Sequence, residues 1–202
     1  MENNVLTIDA DKLQKLAEKF GSNDQQDQQI EIKSATLKDL SCNYSYELLF
    51  GKTKGDELGR KGAHIVHDDM IEAFSQLDVF FAHIDGVFHW ANNQTHVEAL
   101  EAHEHLGKFL VSGFKITGSD ENKAVILSGS KEVSVGTITF STPKIKLGNS
   151  NYLYVDELND RLQVVINEVE EYMNGKTAPQ YEQLEMEFED ENDDDFENAK
   201  VD

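Results

Sequence analysis

The sequence contains a single cysteine, Cys42, only two prolines, and no long apolar run. One cysteine can form no intramolecular disulfide and cannot supply a cysteine cage for zinc, so we expect packing to stabilise the fold. No apolar segment approaches the roughly 18 residues that a membrane-spanning helix needs, and the first residues lack the pattern of a secretory signal. These absences predict a cytoplasmic protein with no membrane partner.

Basic residues are scarce: 18 Lys and Arg stand against 39 Asp and Glu, for a net charge of −21. The imbalance is uneven, because residues 62–107 hold eight acidic side chains and no Lys or Arg, and residues 181–202 have a net charge of −10. Residues 30–61 and 108–146 have net charges of +1 and +3. Since salt screens exposed charges over about 10 Å at 0.1 M, a locally basic surface can bind an anion on an acidic protein. Lysines that merely keep strands soluble are the alternative interpretation.

The length of 202 residues fits one domain with appendages. Residues 1–29 combine an amphipathic helix, marked by Leu13, Leu16 and Phe20, with a polar linker. We assign residues 30–180 to a single domain and residues 181–202 to a disordered acidic tail.

Alternating apolar residues predict most of the strands in this domain. A strand around Ile30 and Ile32 is followed by strict alternation from Cys42 to Phe50, which favours two antiparallel strands. Residues 52–62 then indicate a loop or hairpin and residues 63–66 a short strand. A three-stranded meander is predicted over 109–117, 123–133 and 136–140.

Helical spacing predicts the remaining elements. One helix begins at Asp68 or Asp69 and carries an apolar stripe as far as Ile84, a short helix lies within 86–107, and a long helix begins near Val155 and ends before Gly175. The fold class is therefore α+β, with an antiparallel sheet and packed helices. Because the order of elements is also that of an OB-fold, an OB-like, partly open barrel stands beside a generic α+β arrangement.

Motifs for catalysis are weak. The Gly51-Lys52-Thr53 sequence lacks the glycine that a phosphate loop needs five positions earlier, and neither a G-x-S-x-G elbow nor an HExxH motif occurs. We predict no enzyme, no catalytic residue, no cofactor and no bound metal. The remaining alternative is a metal site that uses His64, His67 and Asp68 or Asp69, or includes the His103-Glu104-His105 sequence, although exposed or capping histidines explain the same residues.

Nucleic-acid binding needs lysines that follow phosphates and aromatic rings that stack on bases. Tyr44, Tyr46, Phe109 and Phe114 lie in predicted strands close to basic residues, although the same rings could instead fill the core. The basic residues that we predict to contact nucleic acid are Lys52, Lys54, Arg60, Lys61, Lys108, Lys115, Lys144 and Lys146.

The tail contains two motifs typical of partner recruitment. Gln183, Met186 and Phe188 have the spacing of the bacterial sliding-clamp-binding motif, which this segment resembles. Asp193, Asp194, Asp195 and Phe196 resemble the acidic, aromatic-tipped tails of bacterial and phage single-stranded DNA-binding proteins. These resemblances imply a sliding clamp or another replication protein as partner, whereas the alternative is a charged segment that only aids solubility.

Three further segments resemble a family of uncharacterised phage and prophage proteins: IVHDDM at 65–70, FLVSGFKITG at 109–118 and EEYMNGK at 170–176. The resemblance implies a phage-encoded protein in a bacterial host cell and assigns no site residues.

Two functional hypotheses follow. The first is a phage-type accessory protein of DNA replication or recombination that binds single-stranded DNA and recruits a partner through its tail. The alternative is an acidic protein-binding module or inhibitor that imitates the charge of DNA and engages a basic host protein. The sequence leaves a homo-oligomer open.

Overall fold

The computed structural model describes residues 28–50, 53–148 and 151–179, so the predicted N-terminal helix and acidic tail lie outside the described residues. The first part of the domain contains strands β1 (Gln28–Lys38), β2 (Ser41–Phe50) and β3 (Thr53–Arg60). Helices α1 (Asp68–Ser75), α2 (Asp78–Ile84) and α3 (Val97–Glu101) follow. The last part contains β4 (Phe109–Thr117), β5 (Ala124–Val133), β6 (Gly136–Ser141), β7 (Ile145–Lys146) and the long helix α4 (Val155–Met173).

All strands belong to one antiparallel sheet. Its order is β3-β2-β1-β4-β5-β6, and β7 pairs with the beginning of β5 beside β6. The sheet is not closed into a barrel, and β3 and β6 lie at its two edges. The prediction of an α+β fold with an antiparallel sheet and helices is confirmed. No helix in the described part of the chain is long and apolar enough to cross a membrane.

The core lies between one face of the sheet and the helices. Ala35, Tyr44, Phe114 and Leu127 stand side by side across four strands, and all are buried. Helices α1 and α2 pack on β4, and α4 packs on β1 and α1. The buried stripe of α4 repeats every three or four residues, as the sequence predicts, through Leu158, Leu162, Val165, Ile166, Val169 and Tyr172.

The predicted helix over 68–84 is two helices. The apolar stripe is correct, since Met70, Phe74 and Leu77 are buried, but α1 ends at Ser75 and α2 begins at Asp78. The Leu77 N–H donates to the carbonyl oxygen of Phe74 at 3.0 Å, a tight three-residue turn that separates the helices. The cap also differs from the prediction, because His67 Nδ1 accepts from the backbone N–H of Asp69 at 3.2 Å.

Residues 52–66 differ most from expectation. Residues 53–60 form the edge strand β3, whereas residues 63–66 form no strand, and Val66 makes only an isolated bridge to Thr177. The prediction missed β3 because an edge strand with exposed side chains carries no apolar alternation.

Candidate anion-binding cleft

Half of the predicted nucleic-acid contacts belong to the β3 side of the sheet. Lys54 lies in the first half of β3, while Arg60 and Lys61 lie at its other end, about 20 Å away at the usual rise per strand residue. Lys52 lies outside the described residues, and the side chain of Lys54 is not described. These residues therefore do not form one cluster.

The other half lies further across the sheet. Lys108 immediately precedes β4, and Lys115 is exposed within β4, opposite Ser34 of β1. Lys144 and Lys146 lie at and beside β7, on the far side of the sheet from β3. The seven predicted residues that the structure describes are thus distributed over the sheet, and among their described side chains only those of Lys144 and Lys146 line a common cleft.

Ion pairing distinguishes these predicted residues from most of the other described cations, although the exposed Lys38 also makes no ion pair with a described side chain. Lys33, Lys123, Lys131, Arg161 and Lys176 each pair with a carboxylate. Among the described side chains, six of the predicted residues make no ion pair, which leaves their charge available to an external anion. These six are Arg60, Lys61, Lys108, Lys115, Lys144 and Lys146.

The cleft has a volume of about 490 Å³ and lies between the end of α2, the β7 segment and the residues that precede α4. Its volume is within the range of roughly 300–1,000 Å³ typical of small-ligand sites. It combines two ammonium groups, an amide, an aromatic ring and apolar side chains, and none of its lining residues is acidic. Those residues are Ile84, Pro143, Lys144, Ile145, Lys146, Asn151 and Tyr152.

Backbone pairing with β5 holds the two lysines in place. Ile145 lies opposite Val125 and is buried, while Lys146 lies opposite Ala124. The N–H of Leu147 donates to the carbonyl oxygen of Lys123 at 2.9 Å and continues this attachment. Because side chains alternate along an extended chain, burial of Ile145 directs both neighbouring lysines away from the core.

An aromatic cluster supports the wall of the cleft. The ring of His83 packs against Tyr152 and Tyr154, with centroid distances of 5.5 and 5.0 Å. The Tyr154 hydroxyl donates to the carbonyl oxygen of Thr95 at 3.1 Å, which ties the cluster to the loop before α3. Burial lowers the pKa of His83 and raises that of Tyr152, so both rings are held in their neutral forms. The positive charge of the cleft therefore comes from its lysines.

The aromatic rings predicted as stacking surfaces lie elsewhere. Tyr44, Phe109 and Phe114 are buried in the core, and Tyr46 is half-buried against it. This result confirms the alternative in which these rings fill the core and excludes them as a base-stacking surface. The aromatic residue that lines the cleft is Tyr152.

The candidate metal ligands are not brought together. His67 caps α1, His64 is exposed, and the described residues contain no group of three or more His, Cys, Asp or Glu side chains placed to hold a metal. His103 and His105 have ring centroids 5.1 Å apart, and His103 stacks on the half-exposed Trp90. They form an aromatic surface cluster.

A second, smaller cleft of about 200 Å³ lies between α3 and α4 and has the opposite charge. It contains three carboxylates, from Glu98, Glu157 and Asp160, together with Arg161. The Arg161 guanidinium is already occupied by Glu101, by the carbonyl oxygen of Gln76 at 3.2 Å and by the Phe80 ring. Acidic character is thus concentrated on the helical side of the molecule.

Sequence reasoning found Lys144 and Lys146 but missed the rest of the cleft. The signal was present in part, since Asn151 and Tyr152 follow the lysines closely in sequence. The sequence did not predict the pairing of β7 with β5 or the position of Ile84, at the end of α2, beside the two lysines. The predicted tail residues, from Gln183 to Phe196, lie outside the described residues.

Comparisons with known proteins gave no match: no protein-family model, curated protein or solved structure is detectably similar to this chain. The resemblance to a phage protein family therefore stays a prediction.

Proposed function

We propose that the protein binds single-stranded DNA and that the cleft at β7 holds a nucleotide of the strand. The observation that carries the proposal is the placement of Lys144 and Lys146, which make no ion pair with a described side chain, beside the ring of Tyr152 in a cleft whose described lining contains no acidic residue. Lysines that contact phosphates beside a ring that stacks on a base are the usual combination for binding a single strand.

The other four predicted residues without an ion pair to a described side chain act from elsewhere on the sheet. Lys108, Lys115, Arg60 and Lys61 strengthen binding through long-range attraction, which depends on salt but not on sequence. The proposal extends to the tail, in which Gln183, Met186 and Phe188 recruit a replication protein such as a sliding clamp. In this role the protein is a phage-type accessory factor of DNA replication or recombination.

Fluorescence anisotropy of a labelled oligo-dT tests the cleft. We expect the Lys144→Gln/Lys146→Gln variant to bind about tenfold more weakly, and its salt dependence to fall by about 1.4 in slope, since each phosphate contact on a single strand contributes about 0.7. Tyr152→Leu should also weaken binding, by about 1–3 kcal/mol if it removes one stacked base, without changing the slope.

The matched control removes the same number of charges outside the cleft. Lys108→Gln/Lys115→Gln deletes two exposed, unpaired lysines and should weaken binding less than the cleft variant. Equal losses from both double variants would show diffuse attraction and would eliminate the cleft as the binding site.

The second candidate is a protein-binding module that engages a basic partner through its acidic helices. It is favoured by the carboxylates around the α3–α4 cleft and by the absence of Lys and Arg from residues 62–107. The same titration separates the candidates, because a chain that fails to bind oligo-dT even at low salt would support the acidic module.

A further inference from the structure

Strand β3 leaves one edge of the sheet open. No described strand pairs with its outer side, and residues 56–61 are all exposed, including Leu58 at 40%. An open edge presents unpaired backbone N–H and C=O groups, which form a template for another strand. The side chains along this edge therefore determine which strand can bind there.

Beyond Lys54, whose side chain is not described, the four charged residues of 56–61 are arranged by sign. Asp56 and Glu57 precede Leu58, while Arg60 and Lys61 follow it, and none of these four makes an ion pair with a described side chain. A strand that runs from acidic to basic is complementary to its own copy in the antiparallel direction.

The environment of Glu57 also favours a partner strand that carries a basic side chain. Glu57 lies opposite Glu47 of β2, a like-charge pair. Lys33 compensates Glu47 at 2.8 Å, but Glu57 has only a hydrogen bond from Ser45 Oγ at 3.0 Å. A cation supplied from outside β3 would compensate the second carboxylate.

We propose that β3 pairs antiparallel with β3 of a second copy of this chain, around a twofold axis at Leu58. In such a pairing, residues equally distant from the axis on opposite sides face each other. Asp56 then faces Arg60 of the partner subunit, and Arg60 faces Asp56 of the partner subunit. The two leucines meet at the axis and cover their exposed apolar surface.

Charge also fixes the register. With the axis at Leu58, Glu57 lies diagonal to Lys61 of the partner subunit, a separation of about 7–8 Å that long side chains can cross. An axis at Glu57 would bring two carboxylates face to face, and an axis at Gly59 would place Asp56 opposite an uncharged Gly62. The axis at Leu58 satisfies both charge pairs and the apolar contact.

A bulge limits the length of the new ladder. Glu47 pairs with Glu57 but Leu49 pairs with Lys54, so β3 contains one extra residue between Lys54 and Glu57. Gly55 and Asp56 share this interval, and we assign the extra residue to Gly55, which has no side chain, so that the intersubunit ladder extends from Asp56 to Arg60. Such a short interface gives a dimer that dissociates on dilution.

Sedimentation velocity of the full chain across a concentration series, at about 0.15 M salt to limit repulsion between acidic chains, tests the proposal. We expect a monomer–dimer equilibrium. Arg60→Asp and Asp56→Arg should each raise the dissociation constant by at least about tenfold, because each places like charges opposite each other twice. An equimolar mixture of the two variants should dimerise again, since every facing pair then joins opposite charges.

Leu58→Lys provides a second disruption at the axis, and Ile138→Lys provides the matched control on the opposite edge strand β6, where Ile138 is 52% exposed. The control should dimerise as the original chain does. A chain that stays monomeric at all concentrations would overturn the proposal. So would a dimer that tolerates Arg60→Asp but is lost in Ile138→Lys, or a mixture of the charge variants that fails to associate.

Discussion

Asp78 is a partly buried carboxyl at the first position of α2, and its hydrogen bond connects that helix to the sheet. Its Oδ1 accepts a hydrogen bond from the backbone N–H of Val111 in β4 at 2.6 Å. Burial raises the pKa of Asp78 to about 7, although the Val111 N–H acts in the opposite direction. The group therefore changes its charge near neutral pH, in a contact that fixes α2 to β4.

The raised pKa predicts a loss of stability as pH increases. Between the ordinary pKa of an aspartate and about 7, the folded chain holds a proton that the unfolded chain has released. The contribution of Asp78 to the free energy of unfolding therefore falls as the pH rises through this range. Asp78→Asn keeps the acceptor for Val111 and removes the ionisation. We expect the free energy of unfolding of the variant, measured relative to that of the original chain, to increase by on the order of 2–3 kcal/mol as the pH rises from 5 to 8.

Urea unfolding of both proteins at several pH values measures this difference. A constant difference across the range would show that Asp78 does not titrate between these values in the folded protein.

At the scale of elements, the connection between β3 and α1 passes through a tight space. A Cβ added at Gly62 would lie 2.3 Å from the carbonyl oxygen of Cys42 in β2 and 2.5 Å from the hydroxyl of Tyr172 in α4. That hydroxyl also donates to the carbonyl oxygen of His64 at 2.7 Å. The absence of a side chain at Gly62 thus allows the connection after β3 to pack closely against β2 and α4.

Gly62→Ala should destabilise the fold by about 1–3 kcal/mol, because the added methyl overpacks this junction and displaces the Tyr172 hydroxyl. Gly107→Ala is the matched control, since a Cβ at Gly107 would meet nothing within 4 Å. Thermal unfolding should distinguish the two variants. Equal melting temperatures would contradict the assignment of Gly62 as a packing requirement.

The elements that the sequence predicted well are those with one buried face. The stripe of α4 and the strands β4 and β5 were recognisable because burial imposes a period on their apolar residues, whereas the exposed strand β6 was predicted only as the continuation of their meander. Strand β3 has no such face, and the break between α1 and α2 lies inside a continuous apolar stripe. The site was predictable only through its lysines, because the cleft arises from contacts between residues distant in sequence.

In the described part of the molecule, basic and acidic residues are unevenly distributed among the elements. Helices and their connections contribute the acidic residues of 62–107, whereas the unpaired lysines belong to the strands and the turns beside them. The two functional candidates use different clefts of the same domain, one at β7 and one between α3 and α4.

Protection from hydrogen exchange should follow the order of the sheet. We expect the amides of β1 and β4, which have strands on both sides, to exchange more slowly than those of β3 and β6 at the edges. Exchange measured by NMR or mass spectrometry in dilute solution tests this order. At concentrations that favour the dimer, β3 should gain protection while β6 stays unchanged. Equal protection of both edges at all concentrations would contradict pairing through β3.

The position of β1 has a consequence for how the chain reaches this structure. β1, β2 and β3 form one meander and β4, β5 and β6 form another, and the two halves join only where Ser34, Ala35 and Thr36 meet Lys115, Phe114 and Gly113. Each half can assemble from neighbouring segments, whereas the seam requires closure of a loop of roughly 80 residues, with a corresponding entropic cost. We therefore expect the two meanders to join along this seam slowly and late in folding, so that β1 and β4, the two central strands of the finished sheet, are enclosed last.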